Sequence, residues 1–515
     1  MGKLYMGFDA GTQSVKVAVY DEQFRLVTSR SLPTSLTYPQ PGWVEMDVNT
    51  YLDNCVVCMA ETTSELRRLG FDPKDVSAIM GDGIICGIVG IDENADPVTP
   101  YINYLDSRTM ADVETINAKK LDIWSRETGN PEASPMFPAM FARWFIANSE
   151  AFRTKGVKFV HNAPYILMRL AGLKGKDAFI DWGAMSGWGL GYDVQKKCWS
   201  EEQILGIDPQ YMPTIRKPWD IVGGLCEAMS VRTGLPAGIP ILAGAGDTMQ
   251  SMLGSGVFEA NQGVDVAGTC AMFCVSTSGI VPELSKPGMG LIFNSGTLPD
   301  TYFYWGFVRT GGLSLRWFKD HVARHEGSYY GTLSEGAAKV PAGAGGVQFL
   351  PYLTGGYGEE KEASGCFLNM TMDDNQFVMW RAVLEAIGYD YMGLADSYRA
   401  AGVPLKRITV TEGGSRDGLW NQIKSNMLGA EVVRFENPGG AVLTNCVFGA
   451  YAAGDLEGVD DVKAALGSVI KRSGVYKPEA ALSRRYRELF ENRQKLVRED
   501  LKAAFSRLVK MRAIH

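Results

Sequence analysis

One phrase occurs twice in this chain, about half its length apart, and that repeat constrains the fold more than any other feature. Phe8-Asp9-Ala10-Gly11-Thr12 lies inside the alternating stretch Leu4 to Tyr20, and Asp265-Val266-Ala267-Gly268-Thr269 lies inside Gly263 to Ser276. With Gly11 placed on Gly268, Ala10 falls on Ala267, Thr12 falls on Thr269, and apolar or β-branched residues flank both turns. Each copy reads as a strand, a Gly-Thr turn and a second strand. The tip of such a hairpin offers backbone N–H groups and a hydroxyl to phosphate oxygens. Two of them facing each other across a cleft can hold a nucleotide's phosphates from both sides. Only the first copy carries a carboxylate, because Val266 stands where Asp9 would be repeated. One acid suits one Mg²⁺, which at phosphates is usually held by one or two carboxylates and water.

A chain of 515 residues exceeds what a single core supports and should divide into two large domains. The boundary is placed at Gly254-Ser255-Gly256, giving 1–254 and 255–515. A net charge of −7 lacks the basic surplus of a nucleic-acid binder, so the substrate should be small. No apolar run approaches the ~18 residues of a membrane span, and the N-terminus shows no charged-then-apolar leader pattern. Nine scattered cysteines, an odd number, read as reduced thiols of a cytoplasmic protein. Cys55 and Cys58 form a CxxC on an expected helix without a second pair, which suits packing better than metal. Four histidines leave little room for a His-rich metal site.

The first half alternates strand and helix signals: strands at 4–9, 14–20, 25–30, 77–82 and 86–91, helices at 49–69, 107–119, 138–147 and 163–171. Pro240 to Asp247 reads as a buried strand entering a glycine-rich turn, with a helix from Thr248 to Leu253. In the second half, Gly311 to Trp317 is a turn into a helix, and 374–401 is a long amphipathic helix stopped by Gly402 and Pro404. A strand follows at 407–411, a turn at Gly413-Gly414-Ser415, a helix at 417–428 and a strand at 432–435. The tail, 479–511, reads as one charged helix. The pattern is α/β with paired hairpins, and no GxxxxGK[ST] sequence is present, so any nucleotide is held without a P-loop.

Several segments in order resemble the FGGY carbohydrate kinases, and within them the xylulokinase-like branch. They are Asp9–Thr12, Pro41–Asp47, Leu105–Thr109, Ala243–Thr248, Val266–Thr269, Gly311–Trp317 and Glu412–Ser415. The resemblance implies two ribonuclease-H-like domains of the actin/hexokinase superfamily around a central catalytic cleft. It also implies ATP and Mg²⁺, with phosphoryl transfer to a hydroxyl of a small sugar such as D-xylulose. Phosphoryl transfer needs positioning, a metal and a base at the nucleophilic hydroxyl. By this resemblance Asp247 is the base and Asp9 the Mg²⁺ anchor. Gly11, Thr12, Gln13, Ser14 and Lys16 face the phosphates from one side, Gly268 and Thr269 from the other. Gly413, Gly414 and Ser415, with Asn421, surround the adenosine, and Gly311 lies nearer the phosphates. Asp106 and Arg108 stand at the family's substrate-side Asp and Arg. The bland readings are that Asp247 caps its helix, that Asp9 steadies a turn, and that Asp106 and Arg108 begin a helix.

The sugar side departs from the family. Ile84, Ile85 and Cys86 replace a Gln-Met-His sequence, and Phe141 stands where a lysine is usual, so Ile85 and Cys86 give an apolar substrate wall. Trp43, Asp82 and Trp188 are further lining candidates. Acceptors within the class include erythritol, L-xylulose, gluconate and glycerol. An actin- or Hsp70-like ATPase and a sugar-responsive regulator are readings from other classes. A homodimer is compatible with all of them.

Overall fold

Leu4–Ala10 (β1) is buried along almost its whole length, as a central strand covered on both faces must be. Ser14–Asp21 (β2) returns antiparallel to it, with Ala10 opposite Val15, and Leu26–Pro33 (β3) pairs antiparallel with β2. On its other side β1 pairs in parallel with Val76–Gly83 (β4). Ile221–Gly224 (β5) forms the far edge beside Pro240–Leu242 (β6), which runs parallel to β4; Ala245–Gly246 (β7) pairs with the end of β4. The computed structural model describes residues 2–268, 271–308, 310–324, 329–355, 362–436 and 440–512. Thr269 lies outside them.

The crossover from β3 to β4 is a helix, Val48–Arg68 (α1), started by the Asp47 side chain accepting from Asn49 N. Its apolar face, including Tyr51, Cys55 and Cys58, shares a core with Leu4, Met6 and Phe8 of β1 and with Tyr165 and Ile166 of Asn162–Ala171 (α2). The CxxC pair is therefore packing. Asp247–Gly254 (α3) leaves the sheet after β7.

The second sheet repeats the first. Gln262–Ala267 (β8) and Ala271–Thr277 (β9) form the second hairpin, and Ile292–Ser295 (β10) and Tyr302–Val308 (β11) continue it antiparallel. Gly311–Trp317 (α4) and Gln376–Ala400 (α5) follow. Arg407–Thr411 (β12) then runs parallel to β8, and after Gly418–Leu428 (α6) Glu431–Phe435 (β13) runs parallel to β12. The order β3-β2-β1-β4-β6 thus reappears as β11-β9-β8-β12-β13. The sequence repeat is a fold repeat, giving the two-domain α/β architecture of ribonuclease-H-like halves that the resemblance implies.

The remaining face of the first sheet is covered from the second half of the chain. Ala441–Ala452 (α7) lies against β1 and β4, with Val447 and Phe448 packed on Ala78 and Met80, and Cys446 and Ala450 packed on Tyr5. The approach is close enough that a Cβ on Gly7 would sit 2.8 Å from Val442 O. Chain from the second half is therefore built into the floor of the first domain.

Most expected elements appear with ends moved by one to three residues. The helix expected over 107–119 is Met110–Asn117, because Ser107 N bonds Gly42 O and the Asp106 carboxylate accepts from Val44 N, fixing the preceding residues as a loop. The expected 374–401 helix is α5, started by Asn375 accepting from Phe377 N and Val378 N, and stopped before Gly402 at φ +77°. The tail is not one helix. After Arg472–Tyr476 (β14), Ala480–Lys495 (α8) passes through a π-turn at Leu496–Asp500 into Lys502–Arg512 (α9). Among the described residues no helix is long and apolar enough to cross a membrane, and the eight described cysteines are free.

Candidate active site

Three carboxylates meet where β1, β4 and β7 end. Parallel pairing sets Asp9 in register with Asp82, and Asp82 in register with Ala245 on its other side, two residues before Asp247. Asp247 opens α3, but the residue capping that helix is Gly246, without a side-chain bond. The Asp247 carboxylate instead turns back, its Oδ1 accepting from Thr248 N at 2.5 Å and Thr248 Oγ1 at 3.1 Å. The capping reading of Asp247 is therefore not what this chain does. Among the described residues no hydrogen bond reaches its other oxygen, and the residue is partly open to solvent. Burial of the carboxyl in the cleft wall, then repulsion from Asp9, lifts its pKa from the ordinary 3.8 to about 7. Such a group takes up a proton at neutral pH and is still reachable by a small molecule.

Asp9 and Asp82 are held differently. Burial raises both, and at Asp82 the neighbouring Asp9 and Asp247 add to it; Lys16, opposite Asp9 on β2, pulls Asp9 the other way. Apart from each other, neither Asp9 Oδ1 nor Asp82 Oδ1 meets a hydrogen-bonding group, although both are buried. Asp82 Oδ2 accepts from Asn445 Nδ2 of α7 at 2.5 Å. The same amide donates to Phe8 O at 3.0 Å and accepts from Gln250 Nε2 at 2.7 Å, and Gln250 Oε1 accepts from Thr297 Oγ1 at 2.9 Å. This amide chain joins both halves of the protein beneath the carboxylates.

The first hairpin tip is braced from outside the cleft. Tyr51 OH donates to Gly11 O at 3.1 Å, Thr34 Oγ1 to Thr12 O at 2.7 Å, and Thr34 N to Gln13 O at 3.0 Å, while Gly11 N closes the turn on Ser14 O at 3.0 Å. Three carbonyls are thus occupied, which reduces the negative surface at the tip. The second hairpin gathers the other glycines. Gly312 N donates to Gly268 O at 2.9 Å, a Cβ on Gly311 would sit 2.6 Å from Ala271 Cβ, and one on Gly414 would sit 2.8 Å from Ala267 Cβ. A Cβ on Gly413 would meet open space. Glu412, just before it, adopts φ +63° and ψ −168°, a conformation that only glycine takes without cost. Ser415 Oγ donates to Glu412 O at 2.6 Å and Asn421 Nδ2 to Ser415 O at 2.7 Å, so both brace the turn, while Asn421 Oδ1 is buried without a partner.

Asp106 and Arg108 form a separate, self-satisfied group. The Arg108 guanidinium binds Asp106 at 2.8–3.0 Å and Glu45 Oε1 at 2.7 Å, and lies 3.8 Å over the Trp43 ring with Trp144 at 4.9 Å. Neither residue bonds Asp247. Ile84, Ile85 and Cys86 are buried, with Ile85 O accepting from His161 Nε2 at 3.2 Å if that nitrogen carries the proton. Burial, then Asp247, pushes the Cys86 thiol up to about 12. Trp188 is wholly buried beside Trp199, and Phe141 lies in the core of its domain. The sequence reading missed Tyr101. Its hydroxyl is buried without a partner and lies within electrostatic reach of Cys86 and Asp247. It also missed Asn445 and Gln250, whose amides carry no motif.

Paired ribonuclease-H-like sheets, two Gly-Thr hairpins and carboxylates at the strand ends define a phosphoryl-transfer architecture. The family model for the N-terminal domain of the FGGY family of carbohydrate kinases matches residues 4–254, and that for its C-terminal domain matches 264–453. The chain belongs to this family, whose members transfer phosphate from ATP to an alcohol group of a small sugar. A gluconokinase of Bacillus subtilis (strain 168) is 25% identical over 493 residues, 92% of each chain. A xylulose kinase of the same strain is 23% identical over 500 residues, 95% of each chain. The crystal structure of xylulose kinase from Rhodospirillum rubrum matches with a TM-score of 0.86 at 24% identity, covering 98% of this chain and 100% of that one.

Proposed function

We propose that the protein phosphorylates a neutral pentulose such as D-xylulose, with Asp247 as the base. The observation that carries the catalytic part is Asp247 itself: a carboxylate with one oxygen pinned by Thr248, the other without a partner among the described residues, and a pKa raised to about 7. As the sugar hydroxyl oxygen bonds to the γ-phosphorus, its proton passes to Asp247 and the bond to the β-phosphate oxygen breaks, releasing ADP. The Gly11–Ser14 tip and Lys16 would hold the phosphates from one side, Gly268 and Thr269 from the other. The turn at Gly413–Gly414, open at Gly413, would take the nucleoside, with Gly311 nearer the phosphates. The buried, unpartnered Oδ1 of Asp9 fits a divalent cation, which would neutralise charge on the phosphate oxygens.

A neutral acceptor is favoured because Arg108 is already matched by Asp106 and Glu45, leaving it no charge to spend on an acceptor carboxylate. Gluconate is the second reading, supported by the similarity to a gluconokinase. ADP release measured with D-xylulose, L-xylulose, D-gluconate, erythritol and glycerol tests the choice. The highest kcat/KM with a pentulose supports the proposal, and a preference for gluconate overturns it. ATP turnover equal with and without every acceptor would favour an ATPase, and no turnover at all a regulator.

A further inference from the structure

The proposed function uses one carboxylate at the cation, yet Asp82 is wholly buried in the same cleft floor and has no role in that reading. It lies in register with Asp9 on adjacent parallel strands, so the two side chains leave the same face of the sheet. Asp9 Oδ1 points to the hairpin tip, 3.5 Å from where a Cβ on Gly11 would be. Asp82 cannot turn its free oxygen elsewhere, because Asn445 holds the other. Nor can Asn445 serve both oxygens. One amide hydrogen goes to Phe8 O and one to Asp82 Oδ2, which exhausts the donors of a side-chain amide. Two buried carboxylate oxygens on adjacent strands, Asp9 Oδ1 and Asp82 Oδ1, are therefore left without a donor from any other described residue. Mg²⁺ at phosphates is commonly held by one or two carboxylates with waters and phosphate oxygens. Two protein ligands suffice for such a site, and among the described residues no group of three or more His, Cys, Asp or Glu side chains is arranged to hold a metal.

We propose that Asp82 is a second carboxylate ligand of the divalent cation, which Asp9 and Asp82 would hold together. This rests on the reading of Asp9 as the cation's anchor. The consequence is an ion site partly assembled before nucleotide arrives, tied through Asn445, Gln250 and Thr297 to the second half of the chain.

The test uses Mn²⁺ alone, without nucleotide or sugar, and reads free Mn²⁺ by electron paramagnetic resonance. Asp82→Asn keeps the shape and can still bond Asn445 but loses the negative ligand. The expected result is a fall in Mn²⁺ affinity of about tenfold or more, with an unchanged circular dichroism spectrum. Affinity within twofold of the unaltered protein overturns the inference, since an amide then replaces what was only a shared-proton contact. If Asp9→Asn abolishes binding while Asp82→Asn does not, this inference falls and the anchor reading stands. If neither variant changes binding, both fall. Should Asp82→Asn fail to fold, crystals of the unaltered protein soaked in Mn²⁺ decide. An anomalous peak touching both carboxylates supports the proposal; a peak on Asp9 without Asp82, or no peak, overturns it.

Discussion

Replacing Asp247 with Asn should disable the enzyme and stabilise it at once. The folded carboxyl titrates at about 7 against an ordinary 3.8. At ~1.36 kcal/mol for each pH unit, ionising it in the folded cleft costs on the order of 4 kcal/mol at most, and less where cleft water screens the charge. The sign follows from proton binding. Between pH ~4 and ~7 the folded state holds a proton that the unfolded chain has released, so this group's contribution to stability falls as pH rises through that window. Asn cannot ionise. Asp247→Asn should therefore match the unaltered protein at pH 4 and exceed it by roughly 2–4 kcal/mol at pH 8, in urea melts without metal or nucleotide. The same variant should lose about 10²-fold or more in kcat through loss of the base. The unaltered enzyme's kcat/KM should climb with pH through a midpoint near 7, where the Asp247 carboxyl titrates in the free cleft. Turnover within tenfold of normal, or a stability difference that does not change with pH, would refute the reasoning.

Asp9→Ala should cost several kcal/mol in kcat/KM for Mg·ATP while sugar binding, measured by calorimetry without ATP, stays within about twofold; equal loss of both would mean a structural Asp. Tyr101→Phe removes a buried hydroxyl that has no partner. It should raise the melting temperature of the free protein, by up to the ~1–3 kcal/mol of an unsatisfied group, and raise KM for the sugar if that hydroxyl meets the acceptor. An unchanged KM would assign Tyr101 to the core alone. Arg108→Ala strips the partner from buried Asp106 and should destabilise the fold by about 3–5 kcal/mol, seen as a lower urea midpoint; a pure KM effect with unchanged stability would show that Arg108 serves the substrate directly.

Much of this was legible in the sequence because it is carried by local pattern. The two hairpins announce themselves through strand alternation around Gly-Thr, and Asp247 through a buried strand running into glycines. Asp106 with Arg108 was legible as a pair but not as a closed one. Its closure depends on Glu45, Trp43 and Trp144, distant in sequence and brought together by packing. Ser415 and Asn421 were legible as members of that turn, but their hydrogen bonds to Glu412 O and Ser415 O, which brace it, were not. What stayed hidden is long-range. Asn445 reaches Asp82 across more than 360 positions of chain, and α7 packs on the first sheet with so even an apolar surface that nothing in its spacing points to a partner. Asp82 was legible as a candidate for the sugar wall, but its pairing with Asp9 shows only once the register is known.

The most direct measurement of the central claim follows the γ-phosphate itself. Enzyme, Mg²⁺, ATP and D-xylulose are mixed and the products observed by ³¹P nuclear magnetic resonance, with Asp247→Asn run alongside. The account expects a sugar phosphate monoester to accumulate mole for mole with ADP in the unaltered enzyme, little inorganic phosphate, and neither product at a comparable rate in the variant. Inorganic phosphate as the main product, or undiminished ester formation by Asp247→Asn, would contradict it.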